Sequence, residues 1–509
     1  MHAQAAGAAP RTPFMSEPKK ITFIGGGSYQ WVPVLFRDIA VNPHLQGIRF
    51  VLHDIDPQRN AELMEVCCVI ARKAGSSILI EIEENLDQAL DEAQAVILCI
   101  STGGLEAMEH DLEIPKKYGI HQSVGDSTGP GGISRTLRNV PVVVDLARRM
   151  EKICPDAWLL NLTNPMDQIV RTIRKTSRIR VIGLCHEYKS FMSSLQSLLG
   201  LTDWERETSA IITGINHFAW VTELKVGSKD GLQMLRERLE NPDHTLETSG
   251  GNDINPSHSL SGNQVKFSLF KTYGAVPYPG DRHVAEFFPS FLSEKTGHGA
   301  AFGVSLTSVK DRRKWIEDYK KRIAEWTRDA ADSLPLKPSN ESLAPILAAL
   351  ISDGPATVQP ATLPNTGQVL NLPLDSSVET LATFWNGMVS PHASGPIPAP
   401  IHAMVHMHCL NQDLTVEAAL EGDRTKALQA MQADPLNNNN DIREIAVMLD
   451  ELLLANAQWL PQFFSGISNK LSEDSHPKTS LHGDMFPMLE MESGLLPRKA
   501  RSVMPAGTR

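Results

Sequence analysis

The chain has no apolar run approaching the roughly 18–20 residues that cross a bilayer, so a membrane span is not expected. Cysteine is scarce. Cys67, Cys68, Cys99, Cys154, Cys185 and Cys409 are the six in 509 residues, mostly in apolar or helical stretches. That usage excludes a disulfide framework and suits reduced thiols in a cytoplasmic protein. Positive charge is also short: 48 Lys and Arg stand against 59 Asp and Glu, for a net charge of −11. The deficit argues against nucleic acid or an anionic membrane as partner. Met1–Pro18 lacks the continuous apolar core of a signal peptide and is expected to be a flexible tail. What remains, 41% hydrophobic and 21% charged, is enough for a large core shared by two or three domains.

From residue 19 to residue 185, apolar runs alternate with amphipathic stretches. Strands are expected at Ile21–Ile24, Ile48–His53, Ile78–Ile82, Ala95–Ile100, Ala157–Leu160 and Arg180–Leu184. Helices are expected at Val34–Val41, Pro57–Lys73 and Val140–Ile153. This alternation predicts an α/β, Rossmann-like doubly wound parallel sheet, in which ligands gather at the carboxyl ends of the strands. Residues 186–509 are expected to form a second, mixed α+β domain. There Ile211–Val226 reads as a strand pair, and Asp311–Asp332 and Ile442–Gln458 as helices. Ser333–Pro400 is Pro-rich and reads as irregular covering loops.

The first strand breaks into Gly25-Gly26-Gly27-Ser28, and the second ends on Asp54. Glycines there allow close approach of a pyrophosphate, and a carboxylate at that remove can bond an adenosine ribose. Gln30 stands where the dinucleotide motif has its third glycine, so an ordinary glycine-rich turn is the competing reading. Asp54, Ser101, Asn161 and Cys185 all fall at or just past strand ends. Cys185-His186-Glu187 and Asn216-His217 supply a thiolate and an imidazole suited to a divalent ion, although each residue type is more often structural. Gly125–Gly132 is a glycine-rich loop carrying Asp126. Asn161–Pro165 offers Asn164 as a helix cap. Tyr278–Glu286 packs several ionisable residues, among them Asp281, Arg282 and His283, ahead of an aromatic run; a solvated loop or a general base beside a cation both fit. His402, His406 and His408 read as structural.

In this order, these segments resemble glycoside hydrolase family 4. The resemblance rests on Ile24–Ser28, Leu52–Asp56, Ile114–Gly119, Gly129–Gly132, Asn161–Pro165, Cys185-His186-Glu187, Asn216-His217, Gly280–His283, Asn371–Pro373 and Leu414–Arg424. It implies a glycosidase that works through NAD and a divalent metal instead of two carboxylates. Hydride leaves sugar C3, the C2 proton is removed, the C1 substituent departs, water adds and hydride returns. By this resemblance, NAD is held by Gly25, Gly26, Gly27, Ser28, Asp54 and Ser101, and Mn2+ by Cys185 and His217. Asp281 is the expected base, with Tyr278 as the alternative, and His186 protonates the leaving oxygen. Asn161, Asp126, Arg282 and His283 contact substrate, and a homodimer or homotetramer is implied.

Phosphate-recognising members carry arginine where this chain has Met108, and Cys-His-Glu resembles the branch that cleaves α-linked uronic acids. An α-glucuronide or α-galacturonide is therefore the expected substrate, with an α-glucoside or α-galactoside as alternatives. An NAD-dependent 2-hydroxy acid dehydrogenase of malate or lactate type and a non-catalytic NAD binder are the rival readings.

Overall fold

Short runs of Ile, Val, Leu and Phe become the strands β1 (Lys20–Ile24), β2 (Arg49–His53), β3 (Leu79–Ile82), β4 (Ala93–Leu98), β5 (Trp158–Asn161) and β6 (Arg180–Gly183). All six are parallel, in the order β3-β2-β1-β4-β5-β6. The order reverses between β1 and β4, which opens a crevice at their carboxyl ends. The structure is a computed structural model and describes residues 18–240, 263–328 and 333–464. The expected tail before residue 18, the last four residues of the helix expected at Asp311–Asp332, and residues 465–509 of the expected second domain lie outside these.

Both faces of the parallel sheet are covered, which is why its strands read as continuous apolar runs. In β4, Ala95 and Ile97 join the core shared with helices Val32–Ala40, Pro57–Ala74 and Leu343–Ile351. Val96 and Leu98 face the opposite core, with helices Gly129–Ile153 and Met166–Thr176. Among the described residues, no helix is long and apolar enough to cross a membrane.

Beyond β6, strands β7 (Thr208–Thr213), β8 (Trp220–Val226), β9 (Lys229–Asp230) and β10 (Val276–Pro277) form a small separate sheet. The expected pair at Ile211–Val226 corresponds to the β7–β8 hairpin. The stretch read as irregular, Ser333–Pro400, is instead ordered around helix Leu343–Ile351 and strands β11 (Thr357–Pro364), β12 (Ser377–Trp385) and β13 (Met388–Pro391). These strands extend the first sheet as an antiparallel edge, β6-β11-β12-β13. The prolines misled: Pro360 and Pro364 lie in β11, which pairs fully with β12 but meets β6 only through Thr362 and Gly183. On that sparsely laddered side, lost N–H donors cost little.

Two helix boundaries also differ from expectation. The helix expected to begin at Val140 starts at Gly129, with Pro130 in its first turn. Asn164 does not cap the helix after it: that helix starts from Pro165 with no side-chain cap, and the Asn164 amide donates to Asp126 instead (3.2 Å).

The long helix Gly129–Ile153 is fixed to helix Gly104–Lys117 by a fully buried ion pair, Arg138 with Asp111. Arg138 Nη1 donates to Asp111 Oδ1 (2.9 Å), and its Nε to the Thr102 carbonyl (2.9 Å). Removing one partner strands the other charge in the core. Asp111→Ala is thus expected to cost about 3–5 kcal/mol in urea unfolding, and the double variant Asp111→Leu/Arg138→Met much less.

Candidate active site

The turn after β1 is stitched to its neighbours. Gly25 and Gly26 N–H both donate to the His53 carbonyl at the end of β2 (2.9 Å each), and Cys99 N–H donates to the Ile24 carbonyl (2.9 Å). Gly25 has φ +97°, and a Cβ there would collide with the Cys99 carbonyl; one on Gly26 would collide with the Asn60 side chain. Glycine is obligatory at Gly25, and a side chain at Gly26 would have to displace the buried Asn60. Asp54 Oδ2 accepts the Gly27 N–H (2.8 Å) and Oδ1 the Asp56 N–H (2.9 Å). Each carboxylate oxygen retains a lone pair for a ribose hydroxyl. Ser28 Oγ accepts the Trp31 N–H (3.3 Å), opening helix Val32–Ala40, and Ser101 follows β4 across the crevice. The six residues expected to hold NAD are therefore at the carboxyl ends of β1, β2 and β4. A bare glycine cradle beside a carboxylate fits a dinucleotide.

A second group converges from three distant segments. Ligand atoms of Asp126, His217 and His283 all lie within 4.8 Å of one another. Asp126 is on the glycine-rich loop and is tied through Asn164 to the end of β5. His217 sits in the β7–β8 connection at φ +60°, a strained conformation for a side-chain-bearing residue. His283 is on the one-turn helix Asp281–Val284, its ring stacked on that of His217 (centroids 3.6 Å, 27°). Neighbouring aromatics lock these two segments: Phe218, next to His217, stacks on Phe287, four residues after His283, at 4.4 Å.

Ser127 sets the chemistry of this group. Its hydroxyl donates to Asp126 Oδ1 (2.9 Å) and lies 2.6 Å from His217 Nδ1. With its one proton spent on Asp126, it accepts from Nδ1–H, which leaves a lone pair on His217 Nε2. Burial alone would raise the Asp126 carboxyl, but the charges of His283 and Arg135 foremost, with the Ser127 hydroxyl, hold it well below the usual carboxylate range. Burial lowers His217, favouring the neutral ring. A charged carboxylate and a neutral imidazole are the forms that bind a metal, and an N,O set suits a borderline divalent ion.

Other residues singled out from sequence are placed differently. His217 belongs to the convergent group but Cys185 does not; burial, then Glu379 and Glu187, push its thiol well above the ordinary range. Asp281 is fully buried, and its carboxylate accepts the N–H groups of Val265 (2.7 Å) and Lys266 (3.2 Å) at the start of helix Gln264–Tyr273. Tyr278 is equally enclosed and donates its phenolic proton to Glu379. Both serve structure as they stand. Arg282 is held by the carbonyls of Ser123 (2.6 Å) and Ser305 (3.1 Å) and by Thr307, so it braces loops and is not poised for a substrate carboxylate. Asn161 closes a local turn through both ends of its amide to Thr163. His186 lies beside Trp31, with Nδ1 3.1 Å from Glu341 Oε1.

Four acidic or hydroxyl residues were not singled out. Ser127 bridges two of the converging side chains. Glu187 accepts the Gly280 N–H (2.8 Å) and approaches His283 Nε2 (3.9 Å). Glu379, on β12, binds Tyr278, Asn216 (2.8 Å) and Thr362 (2.9 Å). Glu286, fully buried, accepts the Val124 and Gly125 N–H groups. Glu187, Glu286 and Ser127 each lay inside a segment the sequence marked, Cys185–Glu187, Tyr278–Glu286 and Gly125–Gly132; Glu379, on β12, had no such signal.

Burial, seconded by the charge of Asp126, pushes the Glu286 carboxyl up to about 8 against the pull of the Val124 and Gly125 N–H groups and Arg282. Folding then favours the protonated acid, so its contribution is complete below the unfolded value of about 4.5 and is lost as pH rises through about 8. Relative to Glu286→Gln, the wild type is expected to lose stability by about 1.4 kcal/mol per pH unit across that window. Urea unfolding of both proteins at several pH values reads the difference.

Residues 20–201 match the family 4 glycosyl hydrolases, and residues 212–437 match the C-terminal domain of the same family. An alpha-galacturonidase from Thermoanaerobacterium saccharolyticum is 34% identical over 429 residues, spanning 82% of this chain and 91% of that protein. The crystal structure of Bacillus subtilis lplD superposes with a TM-score of 0.76 at 31% identity, over 86% of this chain and 100% of that one. A 6-phospho-alpha-glucosidase from gut microorganisms, solved in complex with NAD and Mn2+, shares the fold at 18% identity with a TM-score of 0.69, over 87% of this chain and 99% of that one. The chain is a member of glycosyl hydrolase family 4.

Proposed function

We propose that this glycosidase cleaves α-linked galacturonides, with NAD on the turn after β1 and a divalent metal, Mn2+ foremost, on Asp126, His217 and His283. The observation that carries the reading is the convergence of those three side chains, one kept charged and one neutral, on the side of the sheet where the glycine turn also ends. The galacturonide is supported by the 34% identical alpha-galacturonidase, by Cys185-His186-Glu187, and by Met108 where phosphate-recognising members carry arginine. The pair of ligands is supported by the distant neighbour that binds NAD and Mn2+. The same reading takes the enzyme as a cytoplasmic homodimer or homotetramer.

When bound, NAD supplies reversible hydride acceptance and the metal a Lewis acid for adjacent sugar oxygens, which together acidify the C2 proton. The protein's own part is positional and protonic. Ser127 orients Asp126 and His217, and Glu187 holds the Gly280–His283 turn. His186, with Nδ1 3.1 Å from Glu341 Oε1, would give a proton to the departing sugar oxygen. Asp281 would act as base only after releasing the Val265 and Lys266 N–H groups, at a cost on the order of 1–3 kcal/mol.

The test is hydrolysis of p-nitrophenyl α-galacturonide, α-glucuronide, α-galactoside and α-glucoside, with NAD+ and Mn2+ each omitted in turn. Release is expected from the galacturonide, dependent on both additions and without net NADH. His217→Ala is expected to lower kcat/KM by about 100-fold or more, the equivalent of several kcal/mol of lost charge stabilisation. Steady NADH formation from 2-hydroxy acids without glycoside cleavage would overturn the reading.

A further inference from the structure

A guanidinium taken out of water needs a carboxylate or a set of carbonyls in exchange. Three guanidiniums feel the charge of Asp126: Arg135, Arg282 and Arg312. Arg282 is satisfied by the Ser123 and Ser305 carbonyls and Thr307, and Arg135 donates its Nε to the Asn164 carbonyl (3.0 Å). Arg312 has no such partner. Its Nε is buried without a hydrogen bond, and among the described residues its side chain forms no ion pair.

The fold nevertheless fixes where Arg312 stands. The chain leading to its helix, Val309–Arg328, is pinned beside the glycine-rich loop, since Thr307 N–H donates to the Ser123 carbonyl (3.0 Å). Val309, in the first turn, packs on Met108 and Leu112. One turn on, the Arg312 guanidinium lies over the Trp315 ring, with Cζ 5.0 Å from the centroid. An aromatic face steadies a guanidinium while leaving the N–H donors at its edge unused. The local charge is also unbalanced. Burial disfavours the Arg312 cation, only Asp126 and Tyr319 work against that, and Arg312 in turn disfavours the cations of Arg135 and Arg282. Asp126 is thus shared among three guanidiniums, while Asp111 is committed to Arg138 and Glu286 is held toward its neutral acid. An anion is wanting beside the candidate active site.

We propose that Arg312 is the specificity-determining residue that recognises the C6 carboxylate of the substrate sugar. A planar guanidinium pairs with a carboxylate through two parallel hydrogen bonds. An α-galactoside has a neutral hydroxymethyl group at that position and would leave the cation desolvated and unpaired, so Arg312 selects against the neutral sugar as well as for the acid. The inference rests on the galacturonide reading and is independent of which side chains hold the metal.

Calorimetric titration of D-galacturonate and D-galactose into the full chain supplied with NAD+ and Mn2+ tests this. The wild type is expected to bind the acid more tightly than the neutral sugar. Arg312→Gln is expected to weaken galacturonate by about 10–100-fold and galactose by less than about threefold. Arg312→Lys keeps the charge without the fork and should fall between wild type and Arg312→Gln. NAD+ affinity, read by protein fluorescence, should be the same in all three. If Arg312→Gln does not fold, Arg312→Met replaces it, because an apolar side chain leaves no buried polar group unpaired. A wild type that prefers galactose sinks the galacturonide reading and this inference with it. A wild type that prefers galacturonate sinks this inference alone if the variant binds galacturonate equally well, or if its affinity for galactose or NAD+ falls by the same factor.

Discussion

The site hangs from the contact between β1 and β4. Their backbones run side by side with both faces buried, and the chain leaves β1 so close to the Cys99 carbonyl that no side chain fits at Gly25. A strand pair closed in above and below cannot slide without opening one core or the other. Its carboxyl end is therefore a fixed edge. Ile100 N–H donates to Thr163 Oγ1 (2.9 Å), and Asn161 folds its amide onto Thr163, so the loops after β4 and β5 take their positions from the same edge. Asn164 carries that order on to Asp126.

Against this fixed edge, the protonation states divide the candidate ligands. Asp126 is kept charged by the cations around it, and His217 is kept neutral by burial, so neither must change its proton content to bind a cation. Cys185 is in the opposite condition. It is half-buried near Glu379 and Glu187, whose charges oppose a thiolate. Recruiting its sulfur to a metal would release a proton, and an affinity that includes Cys185 would rise with pH more steeply than one built on the oxygen and nitrogen donors alone.

Much of the frame could be read from the sequence because its signals are local. The six parallel strands show as apolar runs, and Gly25–Gly27 and Asp54 are separated by one strand–helix–strand unit whose geometry is general. Asp126, His217 and His283 each stood out within their own segments. Their meeting did not, since it depends on a glycine-rich loop, a hairpin connection and a one-turn helix being brought together by Ser127, the Phe218–Phe287 stack and Glu286. Asp281 and Tyr278 were legible as ionisable residues, but their partners were not. An ionisable residue in a dense motif suggests chemistry, but the start of helix Gln264–Tyr273 needed an acceptor for its N–H groups, and Glu379 needed a donor. Proline density hid β11 because the partner that tolerates it, β6, is laddered to it at one residue pair.

That single point of contact has its own consequence. Gly183 of β6 meets Thr362 of β11 where a Cβ would crowd both Thr362 and Met166. Through it, the last strands among the described residues complete a sheet begun by the first. The two matched halves of the family, residues 20–201 and 212–437, are thus not exchangeable parts. A chimera joined between them would have to fit a foreign edge strand to β6, and the first half made alone would present β6 as a bare edge, open to pairing with another chain. For anyone recombining such enzymes, the seam to respect runs down the middle of the sheet and not through the linker.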